Sequence, residues 1–212
     1  MKDFPMFTTE NGAASLKMRE IPYSGCAYIT IHDTVEPGAL LDDCLGFCRA
    51  VGAECVYATG HDFLQNYPFH THIYKMQALK EHIGETDASI FPVTDRTLQK
   101  FRHFYNEKMA SVPNASYMDQ KDAGRILEEG NSYFVHRDGT FLGIAIGSGS
   151  EIQAIASNVP GAGKTLVQAI CHALSDDTVT LEVASSNIRA IRLYKELGFF
   201  TSQVISSWYK IF

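Results

Sequence analysis

The sequence predicts an α/β fold, and three observations carry the prediction. A strand-like run at 151–156 enters a glycine turn and leaves it as a helix at 165–173. A second strand-like run at 178–183 is followed by apolar residues at 190, 191, 193, 194 and 197, the spacing of one helical face. Ahead of both, runs at 132–136 and 140–146 flank Asp138-Gly139, a dipeptide suited to the positive φ angles of a tight hairpin.

The remaining elements follow in order. An amphipathic first helix spans 94–107, with Thr94 or Asp95 at its start. A Pro113-Asn114 loop leads to a second helix over 119–129, which Gly130-Asn131 ends. After the hairpin and the glycine turn, Asn187 caps the last helix, because its side chain accepts a bond from an otherwise unpaired amide. Gly198 stands where a helix C-terminal glycine belongs, and a terminal β segment closes the chain at Phe212. Earlier residues carry a weaker copy of the same pattern. An offset of 123 pairs Pro37-Gly38-Ala39 with Pro160-Gly161-Ala162, Cys48 with Cys171 and Ala50 with Ala173, and a strand at 55–59 follows the first helix. The expected division is a degenerate half-domain at 1–86 and a complete domain at 87–212, with the linker near 84–89.

The turn Asn158-Val159-Pro160-Gly161-Ala162-Gly163-Lys164-Thr165 reads as either of two phosphate-binding devices. One is a nucleotide P-loop, G-x-x-x-x-G-K-[ST], with Asn158 in place of its first glycine. The other is a strand-to-helix turn whose backbone amides and helix N-terminus hold a diphosphate. The chain after Lys164 is short and holds no apolar strand ending in aspartate to carry a magnesium ion, which disfavours the first.

The strand, the N-x-x-A-x-x-x-Y helix (Asn187, Ala190, Tyr194) and the Gly198-Phe199 ending, placed just after this turn, resemble the acetyl-CoA-binding half of the GNAT-superfamily N-acyltransferases. The family loop [QR]-x-x-G-x-[GA] is met by Asn158, Gly161 and Gly163, with Asn158 departing from Gln or Arg. The resemblance implies a mixed, mostly antiparallel central sheet flanked by helices, with an N-terminal partial repeat. It implies direct transfer of an acetyl group from acetyl-CoA to a primary amine. Ser157, Asn158, Val159, Gly161, Ala162, Gly163 and Lys164 would hold the cosubstrate's phosphates, and Asn187 and Ala190 its pantetheine arm. Pro160 lacks an N–H, so the cradle relies on the amides of 161–164. A backbone amide at 155–157, Ile155 for preference, would polarise the thioester, and Tyr194 would protonate the leaving thiolate. Glu151 is the candidate base, placed by strict alternation on the face of Gln153 and Ile155. Glu128, Glu129, Asp119 and Tyr117, on or near the second helix, read as surface residues. A non-catalytic coenzyme A-binding module and a P-loop nucleotide-binding protein are the alternatives.

The first copy is read as structural. Leu40 replaces the second glycine and no N-x-x-A-x-x-x-Y helix follows Thr59. A net charge of −6 without a basic run argues against nucleic acid as a partner. No apolar stretch is long enough to span a bilayer, and the N-terminus lacks a signal pattern, so the expected location is cytoplasmic. Five cysteines without C-x-x-C spacing read as free thiols. His61, His70 and His72 with Cys44, Cys48 and Cys55 match no zinc spacing, and no metal is expected.

Overall fold

The computed structural model describes residues 5–112 and 114–212; Pro113, of the expected 113–114 loop, lies outside the described residues. Contacts divide the chain into two compact units, Met1–Ile73 with Ile205–Phe212, and Tyr74–Val204. The expected cut at 86/87 is therefore not where these units divide.

The first unit contains β1 (Met6–Thr9), β2 (Gly12–Lys17), a short α1 (Ile21–Ser24), β3 (Cys26–Thr34), α2 (Pro37–Ala50) and β4 (Cys55–Thr59). It also takes in the start of β5 (Phe69–Leu79) and the end of β11 (Phe200–Lys210). β1, β2 and β3 pair antiparallel, and β3 and β4 pair parallel. Tyr209 and Lys210 of β11 lie antiparallel to Ala58 and Tyr57 of β4. Helix α2 turns Leu40, Leu41, Cys44, Leu45 and Cys48 inward, at helical spacing, onto Leu16, Ile29, Val56 and Ala58. Cys26 stands opposite Cys55 in the β3–β4 register, and the two form a disulfide. This corrects the expectation of five free thiols. Cys44, Cys48 and Cys171 are free and buried, and burial pushes the thiols of Cys44 and Cys171 up to about 12.

The second unit runs from the end of β5 through α3 (Lys80–Ile83), β6 (Ser89–Pro92), α4 (Leu98–Met109) and α5 (Gln120–Glu129). It continues through β7 (Ser132–Arg137), β8 (Thr140–Ser148), β9 (Glu151–Ser157), α6 (Gly163–Ala173), β10 (Thr178–Ala184) and α7 (Ile188–Glu196). With the start of β11 at 200–204, its strands lie in the order β11-β5-β10-β9-β8-β7-β6. From β6 to β9 each neighbouring pair is antiparallel and β9–β10 is parallel, so the expected mixed, mostly antiparallel sheet is present. The hairpin is made by Asp138 (φ 50) and Gly139 (φ 74). Both faces of the sheet are covered, which is why residues 142–147 of β8 are buried without alternation. On one face Leu166, Val167 and Ile170 of α6 pack with Ile152, Leu181 and Val183; on the other, Phe101 and Ile126 of α4 and α5 pack with Ile144, Ile146 and Ala156. Each fully buried aliphatic side chain contributes roughly 1.5–3 kcal/mol.

Helix α4 begins at Leu98 rather than near 94. The Thr97 hydroxyl accepts the Thr94 N–H at 2.9 Å, a local turn that competes with helix at its start. Helix α5 starts as expected, with the Asp119 carboxylate accepting the Asp122 N–H at 2.8 Å.

Candidate functional site

The parallel pair β9–β10 is joined only at its beginning. Thr180 stands opposite Glu151 and Leu181 opposite Ile152, and the Thr180 N–H donates to the Ser150 carbonyl at 2.7 Å. Beyond them the two strands continue to Ser157 and Ala184 with no further partner pair among the described residues, so a gap opens between them. The corresponding pair of the first unit, β3–β4, stays closed: Cys26 to Thr30 face Cys55 to Thr59, the whole of β4.

On its other side β9 pairs with β8, and that register fixes where its groups point. The Asn158 N–H donates to the Leu142 carbonyl at 2.8 Å. Antiparallel alternation from that bond turns the N–H groups of Ala156 and Ala154 toward β8, and those of Ser157 and Ile155 into the gap. Ile155 is thus the residue whose amide faces the opening nearest its closed end.

The register also contains a bulge. Ile146 faces Ala154 but Gly147 faces Ile152, leaving Gln153 without an opposite number. The alternation that would set Glu151, Gln153 and Ile155 on one face is broken there. Ile152 and Ile155 both pack into the core beneath α6 and α7, whereas Ala154 packs on the α4 side. Glu151, next to Ile152, therefore lies on the α4 face, opposite the Ile155 side chain. This corrects the same-face placement of Glu151.

Past Ser157 the chain turns into α6. The Ser157 hydroxyl donates to the Val159 carbonyl at 2.6 Å, and the Ala162 N–H to the same carbonyl at 3.1 Å, which closes the turn. Gly161 has φ 85, a left-handed conformation that disfavours a side chain. Gly163 is small for another reason: a Cβ there would lie 2.9 Å from Leu193 Cδ2, so it permits α6 and α7 to approach. Ala162 precedes the helix and offers no side-chain cap. The N–H groups of Gly161, Gly163, Lys164 and Thr165 have no acceptor among the described residues, and a helix N-terminus left open in this way favours an anion. The Asn158 side chain does not join them; its Nδ2 donates to the Phe141 carbonyl at 3.2 Å.

Helix α7 flanks the gap's far strand. Asn187 caps it, Oδ1 accepting the Ala190 N–H at 3.2 Å. At the other end the Phe199 N–H reaches the Tyr194 carbonyl at 3.0 Å around Gly198 (φ 88), a six-to-one closure. Ala190, Ile191, Leu193 and Tyr194 are the partly buried residues of the helix, packed against the core cluster that contains Leu166; Ile155 and Val159 pack against the same cluster. The Tyr194 ring lies 5.7 Å from that of Phe199, its hydroxyl has no hydrogen-bond partner among the described residues, and burial pushes the phenol up to about 12. Of the acids on the second helix, Asp119 is the cap and Glu129 accepts from Asn131 Nδ2 at 2.8 Å. His61 caps the turn at 62–66, His72 Nδ1 lies 2.9 Å from the Ser207 hydroxyl, and among the described residues no group of three His, Cys, Asp or Glu side chains is placed to hold a metal.

Comparison with known proteins agrees with this geometry. Residues 160–199, the segment from the turn to the end of α7, match the acetyltransferase (GNAT) family. Comparison with curated proteins finds no match to the sequence. A functionally unknown conserved protein from Staphylococcus epidermidis superposes with a TM-score of 0.61 over 98% of this chain and 93% of its own, at 11% identity. A GCN5-related N-acetyltransferase from Anabaena variabilis gives 0.62 at 12% identity over 94% of this chain, which spans 59% of that protein. A tandem GNAT protein from the clavulanic acid biosynthesis pathway gives 0.53 at 13% identity, over 94% of this chain and 78% of its own. Residues 160–199 are thus similar to the GNAT acetyltransferase family, and the chain as a whole shares the fold of these GNAT structures.

Proposed function

We propose that the chain is an N-acetyltransferase that moves an acetyl group from acetyl-CoA directly to a primary amine. The observation that carries the reading is the opening between β9 and β10, with the Ile155 N–H turned into it and the uncapped start of α6 beyond it. A diphosphate would accept from the amides of Gly161, Gly163 and Lys164, with Ser157, Val159 and Ala162 shaping the turn. The pantetheine arm would lie along the gap beside Asn187 and Ala190, where the Asn187 carboxamide N–H groups remain available. This brings the thioester carbonyl to the Ile155 N–H, a fixed donor for the developing oxyanion.

The bulge at Gln153 gives the two partners separate approaches. The cosubstrate occupies the α6–α7 side, and the amine arrives from the α4 side, toward which Glu151 projects. Glu151 accepts the ammonium proton, directly or through a water, and the free amine attacks the carbonyl. Collapse of the tetrahedral adduct expels the thiolate, which Tyr194 protonates from the α7 side, while the second proton on nitrogen passes to solvent and solvent restores the phenol. The first copy acts as a structural support and takes no part in the chemistry.

Titration calorimetry with acetyl-CoA, followed by release of free thiol with a panel of primary amines, tests the proposal. Binding accompanied by amine-dependent thiol release is expected. Binding with no release from any amine would make the chain a non-catalytic coenzyme A module, and stabilisation by ATP-Mg alone would make it a nucleotide-binding protein.

A further inference from the structure

A diphosphate carries charge that four amides and a helix dipole answer only in part, and the side chain at the head of the turn is engaged elsewhere. Asn158 donates to Phe141 within the sheet. Pro160 has no N–H to give. Between Ser157 and Thr165 the one charged residue is Lys164. It is the second residue of α6, it is exposed, and it joins no ion pair among the described residues. Side chains on a helix lean toward its N-terminus, so a lysine at this position reaches back over the open amides. The outer side of the turn is also clear, since a Cβ on Gly161 would meet nothing within 4 Å.

The first copy supplies an internal control. At the same offset of 123, Lys164 corresponds to Leu41, which is wholly buried, and Gly163 to Leu40, also buried. Val159 and Thr165 correspond to Glu36 and Asp42, so the first turn carries two acids where the second carries a cation. The strands beside the first turn are the ones that stay paired along all of β4. Charge and opening change together between the copies.

We infer that the Lys164 ammonium is the cation that clasps the diphosphate of the cosubstrate, replacing a side-chain contact from position 158, and that the chain binds one cosubstrate and not two. The inference rests on the acetyl-CoA reading above. The contact is an exposed charge-assisted hydrogen bond, so salt screens it.

The test compares the intact protein with Lys164→Gln and Lys164→Arg by calorimetry, using acetyl-CoA, 3′-dephospho-acetyl-CoA and S-acetylpantetheine, at low and high salt. The expected result is one site per chain and about 10-fold weaker binding of both nucleotide-bearing ligands by Lys164→Gln. Lys164→Arg should recover most of that loss, the salt dependence should flatten in Lys164→Gln, and S-acetylpantetheine should bind both proteins alike. Equal affinity of Lys164→Gln and the parent for acetyl-CoA would overturn the inference. So would a penalty that disappears with the 3′-dephospho ligand, which would move the lysine to the 3′-phosphate, or a stoichiometry near two. Failure of the parent to bind acetyl-CoA at all would instead overturn the cosubstrate reading itself.

Discussion

Tyr194→Phe separates chemistry from packing at the residue where the two are hardest to tell apart. The substitution removes one oxygen that has no hydrogen-bond partner among the described residues and leaves the ring against Phe199. Stability should therefore change by no more than about 0.5 kcal/mol, a shift of about 2 °C or less for a chain of this size. If the phenol delivers the proton to the departing thiolate, turnover should fall roughly 10²-fold, which is about 2.7 kcal/mol in the barrier. Tyr194→Ala should cost about 2–3 kcal/mol of stability as well, because the ring itself is lost from the core. The pH behaviour adds a check. Burial disfavours the phenolate and pushes this group up to about 12, so the proton is held throughout the neutral range. Loss of the donor by ionisation should not be seen below a pH of about 11. The assays are thermal unfolding and steady-state thiol release with one amine at saturating acetyl-CoA. Parental turnover in a normally stable Tyr194→Phe protein would refute the proton-donor argument and leave the tyrosine a packing residue.

Glu151→Gln should lower turnover by roughly 10²-fold with acetyl-CoA affinity unchanged; parental turnover in steady-state thiol release would remove Glu151 from the role of base. Deleting Gln153 should straighten β9 while every other residue keeps its partner and face. The folded protein should persist by circular dichroism, and the straightened β9 should pair further with β10 and take up the Ile155 N–H, so acetyl transfer should fall about 10²-fold, as when one oxyanion donor is lost; full activity would show that the bulge is dispensable. The raised groups also set a stability profile. Tyr28 and Tyr194, pushed up to about 12 by burial with Tyr57 and Glu20 adding for Tyr28, and Cys44 and Cys171, also pushed to about 12, contribute stability that is complete below their unfolded values. That contribution should be lost as pH rises from about 9 to 12, read as a falling denaturant midpoint; a flat midpoint to pH 12 would contradict these burials. Thiol titration of the native oxidised protein should find Cys44, Cys48 and Cys171 slow to react, and reduction should release the half-buried Cys26 and Cys55 as the fast pair; two fast thiols before reduction would contradict the cystine.

Local chemistry made much of the second unit readable in advance. Asn187 and Gly198 bound their helix by bonds to neighbours only a few residues away, and Asp138-Gly139 fixes a hairpin through its own φ angles. What depends on strands finding one another was not readable. The bulge at Gln153 exists only relative to Ile146 and Gly147 across the ladder, so periodicity along β9 gave Glu151 the wrong face. Cys26 and Cys55 are distant in sequence and meet because β3 and β4 align in register. The role of Asn158 was hidden similarly, since the Phe141 carbonyl that engages it belongs to a different strand.

The way β5 and β11 are shared between the units limits how this chain can evolve or be dissected. The unit built on the first copy needs 205–212 from the far end of the polypeptide, and the one built on the second needs 74–79 from upstream of the expected cut. A break at 86/87 therefore strips a strand from each product. Neither half can be inherited, expressed or discarded alone without a raw sheet edge, which exposes unpaired amides and invites aggregation. The first copy thereby serves the fold whatever it binds, since residues 205–212 find their place in its unit.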